Sequence, residues 1–168
     1  AQLREHFEDE NGYIYMPDID PYFYLRYARN IIEKGDVGDI VKDGKQWDNH
    51  GLAPIGGPVV HHIHPYVLAW IYKAMHVFNR DITPMQAAGY APIIFSALAV
   101  IPIFFIARRI AGDFAGFIAA MTLAVHVALV NRTIFGHADT DAYNIFFPLV
   151  ILWLFIECHE RKDWRWKL

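Results

Sequence analysis

Two pairs of aspartates, each with a single residue between its members, are the residues of this chain best suited to chemistry. Asp18 and Asp20 form the first pair, and Asp139 and Asp141 form the second. Carboxylates held close together repel one another unless a hard cation or several hydrogen-bond donors compensate their charge, and Mg²⁺ and Mn²⁺ prefer oxygen ligands of this kind. Both pairs adjoin stretches apolar enough to cross a bilayer. The pattern therefore indicates a membrane enzyme that uses a divalent metal.

Each pair also has a simpler explanation, because aspartates are common at the start of helices. Pro21 predicts a helix from about Pro21 to Lys34, and Asp20 could serve only as the N-cap of that helix. One of Asp139 and Asp141 could likewise stabilise the positive end of the helix that follows. A cap explains one member of the second pair more readily than both, so we favour a metal role for that pair. Taken alone, an aspartate before a proline is more often an N-cap than a metal ligand. A metal role for Asp20 is favoured only because the second pair is present.

Several other residues are candidates for a site. Arg132 lies at the predicted exit of an apolar segment, where its guanidinium could bind a phosphate in a bidentate manner or contact lipid head groups. His61, His62 and His64 resemble a metal-binding tract, but the flanking prolines favour an ordered loop on the membrane surface. Cys158 is the single cysteine, so no internal disulfide is possible and we expect a buried, inert thiol.

The apolar segments determine the predicted fold class. Residues 82–107 carry no charge, and a helix of this length exceeds the roughly 30 Å hydrocarbon core of a bilayer. A second uncharged run, 114–131, meets the lower length limit, and 142–156 reaches it if the helix continues through Cys158. The shorter run 66–78 is rich in aromatics and predicts a helix lying at the interface. We predict an all-α integral membrane protein with about three transmembrane helices and an external loop region that carries interfacial helices.

Basic residues orient these segments in the membrane. They follow the first and the third predicted span, which places the segments after these two spans in the cytoplasm. Both aspartate pairs are then outside. A further crossing by 66–78 would separate the two pairs. The predicted division is an external region with an interfacial helix (1–84), a transmembrane helix (85–107), a cytoplasmic turn (108–113), a second transmembrane helix (114–131), an external acidic loop (132–141), a third transmembrane helix (142–158) and a cytoplasmic basic segment (159–168).

Composition excludes one class of partner. The formal net charge is −3 and the basic residues form no continuous face, so we expect no nucleic acid. The chain opens on Ala1 and an acidic stretch, without the basic and apolar regions of a signal peptide. We therefore expect a piece of a longer protein, with truncation at its C-terminal end as well.

The residues around both aspartate pairs resemble a known family. Asp18-Ile19-Asp20-Pro21 is followed by aromatics and Arg26, and Asn131-Arg132-Thr133 and Gly136 precede Asp139-Thr140-Asp141. This order and spacing resemble the catalytic subunit of oligosaccharyltransferase, most of all its archaeal form, through nearly the whole chain. The resemblance implies transfer of a glycan from a lipid-phosphate or lipid-diphosphate donor to the asparagine of an Asn-X-Ser/Thr sequon. It also implies a metal-dependent, inverting reaction on the external face of the cell membrane.

The same resemblance implies partners and residue roles. Asp20 would be a metal ligand and a catalytic residue that accepts a hydrogen bond from the acceptor amide, Asp139 and Asp141 would be metal-site carboxylates, and Arg132 would face the donor phosphates. Mn²⁺ or Mg²⁺ is the implied cofactor. The implied partners are the lipid-linked oligosaccharide, the acceptor polypeptide and membrane lipid. The family's first span, its later spans, a later external-loop glutamate and its soluble C-terminal domain have no counterpart here, so this chain alone is expected to be inactive.

Two alternatives remain at this point. A protein O-mannosyltransferase-like enzyme, or another polyprenyl-sugar glycosyltransferase, would also place acids in its first external loop but generally needs no metal. A non-catalytic membrane transporter or structural subunit is the alternative from another class. Apart from the terminal Glu157, the predicted spans lack acids, which argues against an ion pathway.

Overall fold

The computed structural model describes residues 15–160, which are mostly helical with one small sheet. They divide into two compact units: the first runs up to Ala91 and includes Gly136–Ala138, and the second comprises Pro92–Phe135 and continues from Asp139. The elements, in chain order, are helix α1 (Asp20–Lys34), strands β1 (Ile40–Lys42), β2 (Lys45–Asp48) and β3 (Gly57–Pro58), and helices α2 (His64–Phe78), α3 (Pro84–Gly89), α4 (Ala91–Ala124), α5 (Val127–Arg132) and α6 (Tyr143–Glu160).

Helices α1, α2 and α3 pack together in the first unit. Helix α1 starts with a proline in its first turn and buries Leu25, Ala28 and Ile31, whose spacing of three residues places them on one face. It ends at Gly35, which adopts φ 84° and donates its N–H to the carbonyl of Ile31. The predicted helix from about Pro21 to Lys34 is therefore confirmed, and its buried face forms a core with Leu68 of α2.

A three-stranded antiparallel sheet lies beside these helices, in the order β1-β2-β3. The turn between β1 and β2 is Asp43-Gly44, and both residues have positive φ, 51° and 74°. Two positive φ angles are the requirement of the type I′ hairpin, for which Asp-Gly is a preferred sequence. The prediction of an all-α chain overlooked this sheet, because the strands are too short for their alternation to stand out.

The short helix α3, which precedes the long helix α4, begins at a capping threonine. Thr83 caps α3 with a capping box: its hydroxyl accepts from the N–H of Gln86, and the Gln86 side chain accepts from the N–H of Thr83. The predicted helix over 66–78 is present as α2, and Trp70 and Phe78 on it are 59% and 92% exposed. Its position at a membrane interface stays a prediction.

The long helix α4 reverses direction within its length. Ala111 and Gly112 leave helical geometry, and Gly112 has φ 84° and ψ 179°. A Cβ added to Gly116 would lie 2.9 Å from the carbonyl oxygen of Phe104 and 3.1 Å from Cβ of Arg108. Residues twelve apart in one straight helix would be about 18 Å apart, so the two arms fold back on each other. This reversal falls within the predicted turn 108–113, whose cytoplasmic position stays a prediction.

Helix α6 runs in the same direction as the first arm of α4. The ring of Phe95 lies edge-on to Tyr143 at 4.6 Å, and the ring of Phe105 stacks on Trp153 at 4.9 Å. Both members of the contact advance by ten residues from one pair to the next, so the two helices are parallel. With the reversal in α4, the second unit is an up-down-up arrangement of apolar helices. Cys158 lies near the end of α6 as a half-buried free thiol.

By length and composition, one helical stretch among residues 15–160 is long and apolar enough to cross a membrane, Pro84–Ala124, and Tyr143–His159 is a shorter apolar helix. The second predicted span, 114–131, is interrupted: α4 ends at Ala124, and α5 begins only at Val127, after an extended His126. The count of three spans stays a prediction.

Candidate functional site

Asp20 occupies the first turn of α1 and does not cap it. The N-cap position belongs to Ile19, which has helical dihedrals and makes no side-chain capping bond. The explanation of Asp20 as the N-cap is therefore wrong. Its exposed carboxylate instead stands in the helix's first turn, where the unpaired N–H groups give a positive potential that favours an anion.

Asp18, the other member of the first pair, is engaged by a side chain. Oδ2 of Asp18 lies 2.9 Å from Nδ1 of His137. The loop is also fixed just before this point, because Tyr22 accepts a hydrogen bond from the N–H of Met16 and donates to its carbonyl. The two aspartates of the first motif thus have different surroundings, and the pairing with a histidine distinguishes Asp18 from Asp20.

Asp139 is oriented by the residue that follows it. Its Oδ1 accepts hydrogen bonds from the N–H of Thr140 at 2.6 Å and from the Thr140 hydroxyl at 3.3 Å. The carbonyl of Thr140 accepts from the N–H of Tyr143, so the same residue links the aspartate to the first turn of α6. The half-buried carboxylate is consequently held by the turn rather than free to rotate in solvent.

Arg132 and Asp141, which the sequence assigned to different ligands, lie next to each other. Nη1 of Arg132 is 3.5 Å from Oδ2 of Asp141, a long ion pair with an exposed guanidinium. Both residues line a cavity of about 540 Å³ in the second unit, and most of its other walls are apolar. The lining residues are Leu123, His126, Ala128, Leu129, Arg132, Thr133, Asp141, Asn144 and Ile145.

The second aspartate pair fits a hard divalent cation by its chemistry. Within the described residues, the contacts found engage one oxygen of Asp139 and one oxygen of Asp141. A carboxylate has a second oxygen, and such oxygens are the ligands that Mg²⁺ and Mn²⁺ take up. Asp20 belongs to the first unit and Asp139 and Asp141 to the second, so a metal site shared by all three stays a prediction.

A polar cluster in the first unit was not anticipated from the sequence. Arg26 donates from Nη1 to both oxygens of Asp39, at 2.8 and 2.6 Å, and from Nη2 to Asp48 at 2.7 Å. The hydroxyl of Tyr27 donates to Asp48 at 2.7 Å. Oxygens of both aspartates and a ring nitrogen of His50 lie within 4.8 Å of one another, as metal ligands would. The guanidinium already compensates both carboxylates, so this cluster is a clamp between α1 and the sheet.

The clamp alters the acidity of its members. Burial alone would raise the pKa of Asp48, but hydrogen bonds from Arg26, Tyr27 and the backbone hold that pKa well below its usual range. Burial opposes a similar lowering of the pKa of Asp39, whose donors are Asn30, His50, the backbone of Asn49 and Arg26. The pKa of Tyr27 is raised, first by burial and then by its bond to Asp48. Each group is thereby held in the charge state that the clamp requires.

The three histidines of the expected tract are separated by their surroundings. His61 and His62 are exposed, whereas His64 is buried and opens α2. Nε2 of His64 lies 3.0 Å from the carbonyl oxygen of Ala138, 74 residues later in the chain. A carbonyl only accepts, so this nitrogen carries the hydrogen. The placement of all three in one surface loop was incorrect for His64, which has a structural partner instead.

Comparison with known proteins matches the chain along its whole length. The profile described as "Oligosaccharyl transferase STT3, N-terminal" matches residues 1–168. A dolichyl-phosphooligosaccharide-protein glycotransferase of Methanococcus voltae is 35% identical over 99% of the chain and 19% of its own length. The protein of the same name from Methanocaldococcus jannaschii is 35% identical over 96% of the chain and 18% of its own length.

A more distant similarity extends beyond the archaea. An undecaprenyl-diphosphooligosaccharide–protein glycotransferase of Campylobacter jejuni is 33% identical over 56% of the chain and 12% of its own length. The chain spans about a fifth of the length of the archaeal relatives. The chain therefore belongs to the STT3 family of oligosaccharyl transferases, which are glycosyltransferases, and it corresponds to the N-terminal part of the archaeal type.

Proposed function

We propose that this chain is part of an enzyme that transfers a glycan from a lipid-phosphate or lipid-diphosphate donor to the asparagine of an Asn-X-Ser/Thr sequon. The observation that carries the proposal is the proximity of Arg132 and Asp141 along one cavity with mostly apolar walls. A guanidinium suits a phosphate, a neighbouring carboxylate suits a divalent cation, and an apolar wall suits a prenyl chain. The names of the relatives, which specify a phosphooligosaccharide donor and a protein acceptor, support the same reaction class.

In the proposed reaction, the bond between the anomeric carbon and the donor phosphate oxygen breaks as a bond to the asparagine nitrogen forms on the opposite face, which inverts the configuration. The phosphate leaves with the electron pair of the broken bond, and the amide nitrogen releases one proton to water. Asp20 accepts a hydrogen bond from the acceptor amide and orients its weakly nucleophilic nitrogen. Arg132 binds the donor phosphate. Asp20, Asp139 and Asp141 would hold Mn²⁺ or Mg²⁺. When bound, the ion supplies electrostatic stabilisation of the departing phosphate.

The proposed location is a multi-pass membrane protein with its site on the external face. The parallel course of α6 and the first arm of α4 supports this topology, since the chain then passes up, down and up again through the second unit. Arg108 and Arg109 come at the end of the first arm of α4, at the end of the bundle opposite to Asp139 and Asp141. Basic residues favour the cytoplasmic side, so the aspartates would be external.

The test is glycopeptide formation by the full-length enzyme from a labelled Asn-X-Thr peptide and native lipid-linked oligosaccharide. We expect chelator to abolish transfer, Mn²⁺ to restore it, and the Asp139→Ala variant to stay inactive at every Mn²⁺ concentration. Transfer that is indifferent to chelator would contradict the metal-dependent mechanism and favour another polyprenyl-sugar chemistry. No transfer by folded enzyme with verified substrates would contradict the proposed activity itself.

A further inference from the structure

Three consecutive residues immediately before Asp139 are attached to the first unit. Gly136 donates its N–H to the carbonyl of Gly89 at 3.3 Å and has φ 94°. A Cβ added there would lie 3.1 Å from Cδ of Pro17, so the backbone of Gly136 packs closely against the segment that leads to Asp18. Only glycine adopts this dihedral without strain and fits this contact.

The next two residues make side-chain and backbone contacts with the same unit. His137 pairs with Asp18 at 2.9 Å, and its side chain is largely shielded. Ala138 is fully buried and joins the core that contains Met16, Leu25 and Leu68. Gly136, His137 and Ala138 therefore run beside residues 16–18, and the lead-in segments of the two acidic motifs pack together within the first unit.

The carbonyl of Ala138 depends on His64 for its hydrogen bond. His64 is 1% exposed, and its ring lies edge-on to Tyr24 with the centroids 4.8 Å apart. This packing fixes the ring so that Nε2 can donate to the carbonyl at 3.0 Å. A buried carbonyl that loses its donor is unfavourable, because burial has already removed its water. The contact thus holds the peptide that joins Ala138 to Asp139.

We propose that His64 and His137 are positioning residues for the metal ligand Asp139, an inference that rests on the proposed function. They fix the backbone on the N-terminal side of Asp139, and Thr140 fixes its carboxylate on the other side. Ligands that are held in place bind a cation more tightly than ligands that must first be ordered. Loss of either histidine therefore weakens Mn²⁺ binding without removing a ligand.

The experiment uses the full-length enzyme in detergent and two readouts that do not require turnover. Hydrogen–deuterium exchange of the segment 134–141 is measured without metal, and Mn²⁺ affinity is measured by electron paramagnetic resonance. His64→Leu removes the donor at similar volume, and His64→Gln retains an N–H donor. His61→Leu is the matched control, since His61 is exposed three residues earlier.

We expect His64→Leu to raise exchange in this segment and to weaken Mn²⁺ binding about tenfold, the effect of one lost buried hydrogen bond. His64→Gln should show smaller changes in both exchange and Mn²⁺ affinity, and His61→Leu should change neither quantity. Saturating Mn²⁺ should restore most of the turnover of His64→Leu. Unchanged exchange, or unchanged Mn²⁺ affinity, in folded His64→Leu overturns the proposal. If His64→Leu does not fold, His137→Gln is tested by the same two measurements, with the same expected direction of change.

Asp139→Ala separates the failure of this inference from the failure of the proposed function. If it abolishes Mn²⁺ binding while both histidine variants bind like wild type, the metal site stands and the positioning role is overturned. If it leaves Mn²⁺ binding and transfer unchanged, the proposed metal role of Asp139 is itself contradicted and the positioning role falls with it.

Discussion

Arg26 donates from Nη2 to Oδ2 of Asp48 at 2.7 Å, and this bond joins helix α1 to the end of strand β2. The side chain of Arg26 is 24% exposed and that of Asp48 only 6% exposed. The same guanidinium also neutralises Asp39, so one cation serves two carboxylates. Arg26 therefore links α1, which carries Asp20 in its first turn, to both carboxylates, and the bond from Tyr27 to Asp48 reinforces this link.

Replacing Arg26 should destabilise the first unit. Arg26→Gln leaves Asp48 buried beside an uncompensated Asp39, and we expect a loss of about 2–3 kcal/mol, somewhat less than for a fully buried ion pair. Thermal unfolding of the full-length enzyme in detergent would show a Tm several degrees lower. Arg29→Gln is the control, because Arg29 is exposed on the same helix. Equal Tm values for the two variants would contradict the clamp.

The clamp also predicts a pH dependence. The pKa values of Asp39 and Asp48 are depressed in the folded state, so their stabilisation is complete above the ordinary aspartate pKa of about 4. It is lost as the pH falls below that value, because the unfolded state then binds protons that the folded state does not. The Tm difference between wild type and Arg26→Gln should therefore shrink between about pH 4 and pH 3. A difference that stays constant over this range would contradict the assignment.

The hairpin in α4 depends on the small size of Gly116. A side chain at this position would contact the backbone of Phe104 and Cβ of Arg108. Neither atom can shift unless the backbone of the first arm also moves. Gly116→Leu should force the arms apart and lower the yield of monodisperse protein in size-exclusion chromatography, with a lower Tm for what remains. Ala124→Leu adds a similar volume at an exposed position of the same arm and should be tolerated. Tolerance of both substitutions would argue against close packing at Gly116.

Replacing Arg132 should change the KM for the lipid-linked donor more than the KM for the peptide. A hydrogen bond to a charged group is worth about 1.5–3 kcal/mol, so Arg132→Gln should raise the donor KM by about 10–100-fold and leave the peptide KM nearly unchanged. Arg132→Lys should be intermediate, since a lysine retains the charge but loses bidentate binding. Steady-state kinetics with each substrate varied in turn would measure this. Arg80→Gln, at an exposed residue of the first unit, is the control, and a selective rise in peptide KM would contradict the phosphate role.

Asp20 should be required for transfer but not for folding. It caps no helix and is exposed, so Asp20→Ala should lose only a small stabilisation of the first turn of α1 and lower the Tm slightly, while glycopeptide formation is lost. Lys73→Ala, an exposed substitution in α2, should have little effect on either. Turnover of Asp20→Ala at the wild-type rate would overturn its assignment as ligand and catalytic residue.

The sequence was most informative where one residue type permits few alternatives. Pro21 and Gly35 mark the two ends of α1, Thr83 marks the start of α3, and Gly112 marks the reversal in α4. Long uncharged runs likewise indicated the apolar helices. These features were predictable because proline, glycine and a capping threonine act on their own neighbours, without reference to the rest of the fold.

The long-range contacts could not be predicted in the same way. The clamp joins Arg26 to Asp48, and His64 reaches Ala138, across separations that only the folded backbone defines. Asp43-Gly44 is a local signal for a hairpin turn, but the strands on either side are too short for their alternation to be predicted. Arg132 and Asp141 were both proposed as site residues, but their proximity became apparent only from the turn that precedes α6.

The return of Gly136–Ala138 to the first unit imposes an order on biosynthesis. The chain leaves this unit after Ala91 and supplies its last core side chain, Ala138, only after residues 92–135 have been made. Contacts between residues so far apart in sequence form late, because the intervening loop must first be closed. A nascent chain that ends before residue 136 therefore has an incomplete core in its first unit. A defect in residues 92–135 that keeps Ala138 from this core would appear as misfolding of the first unit.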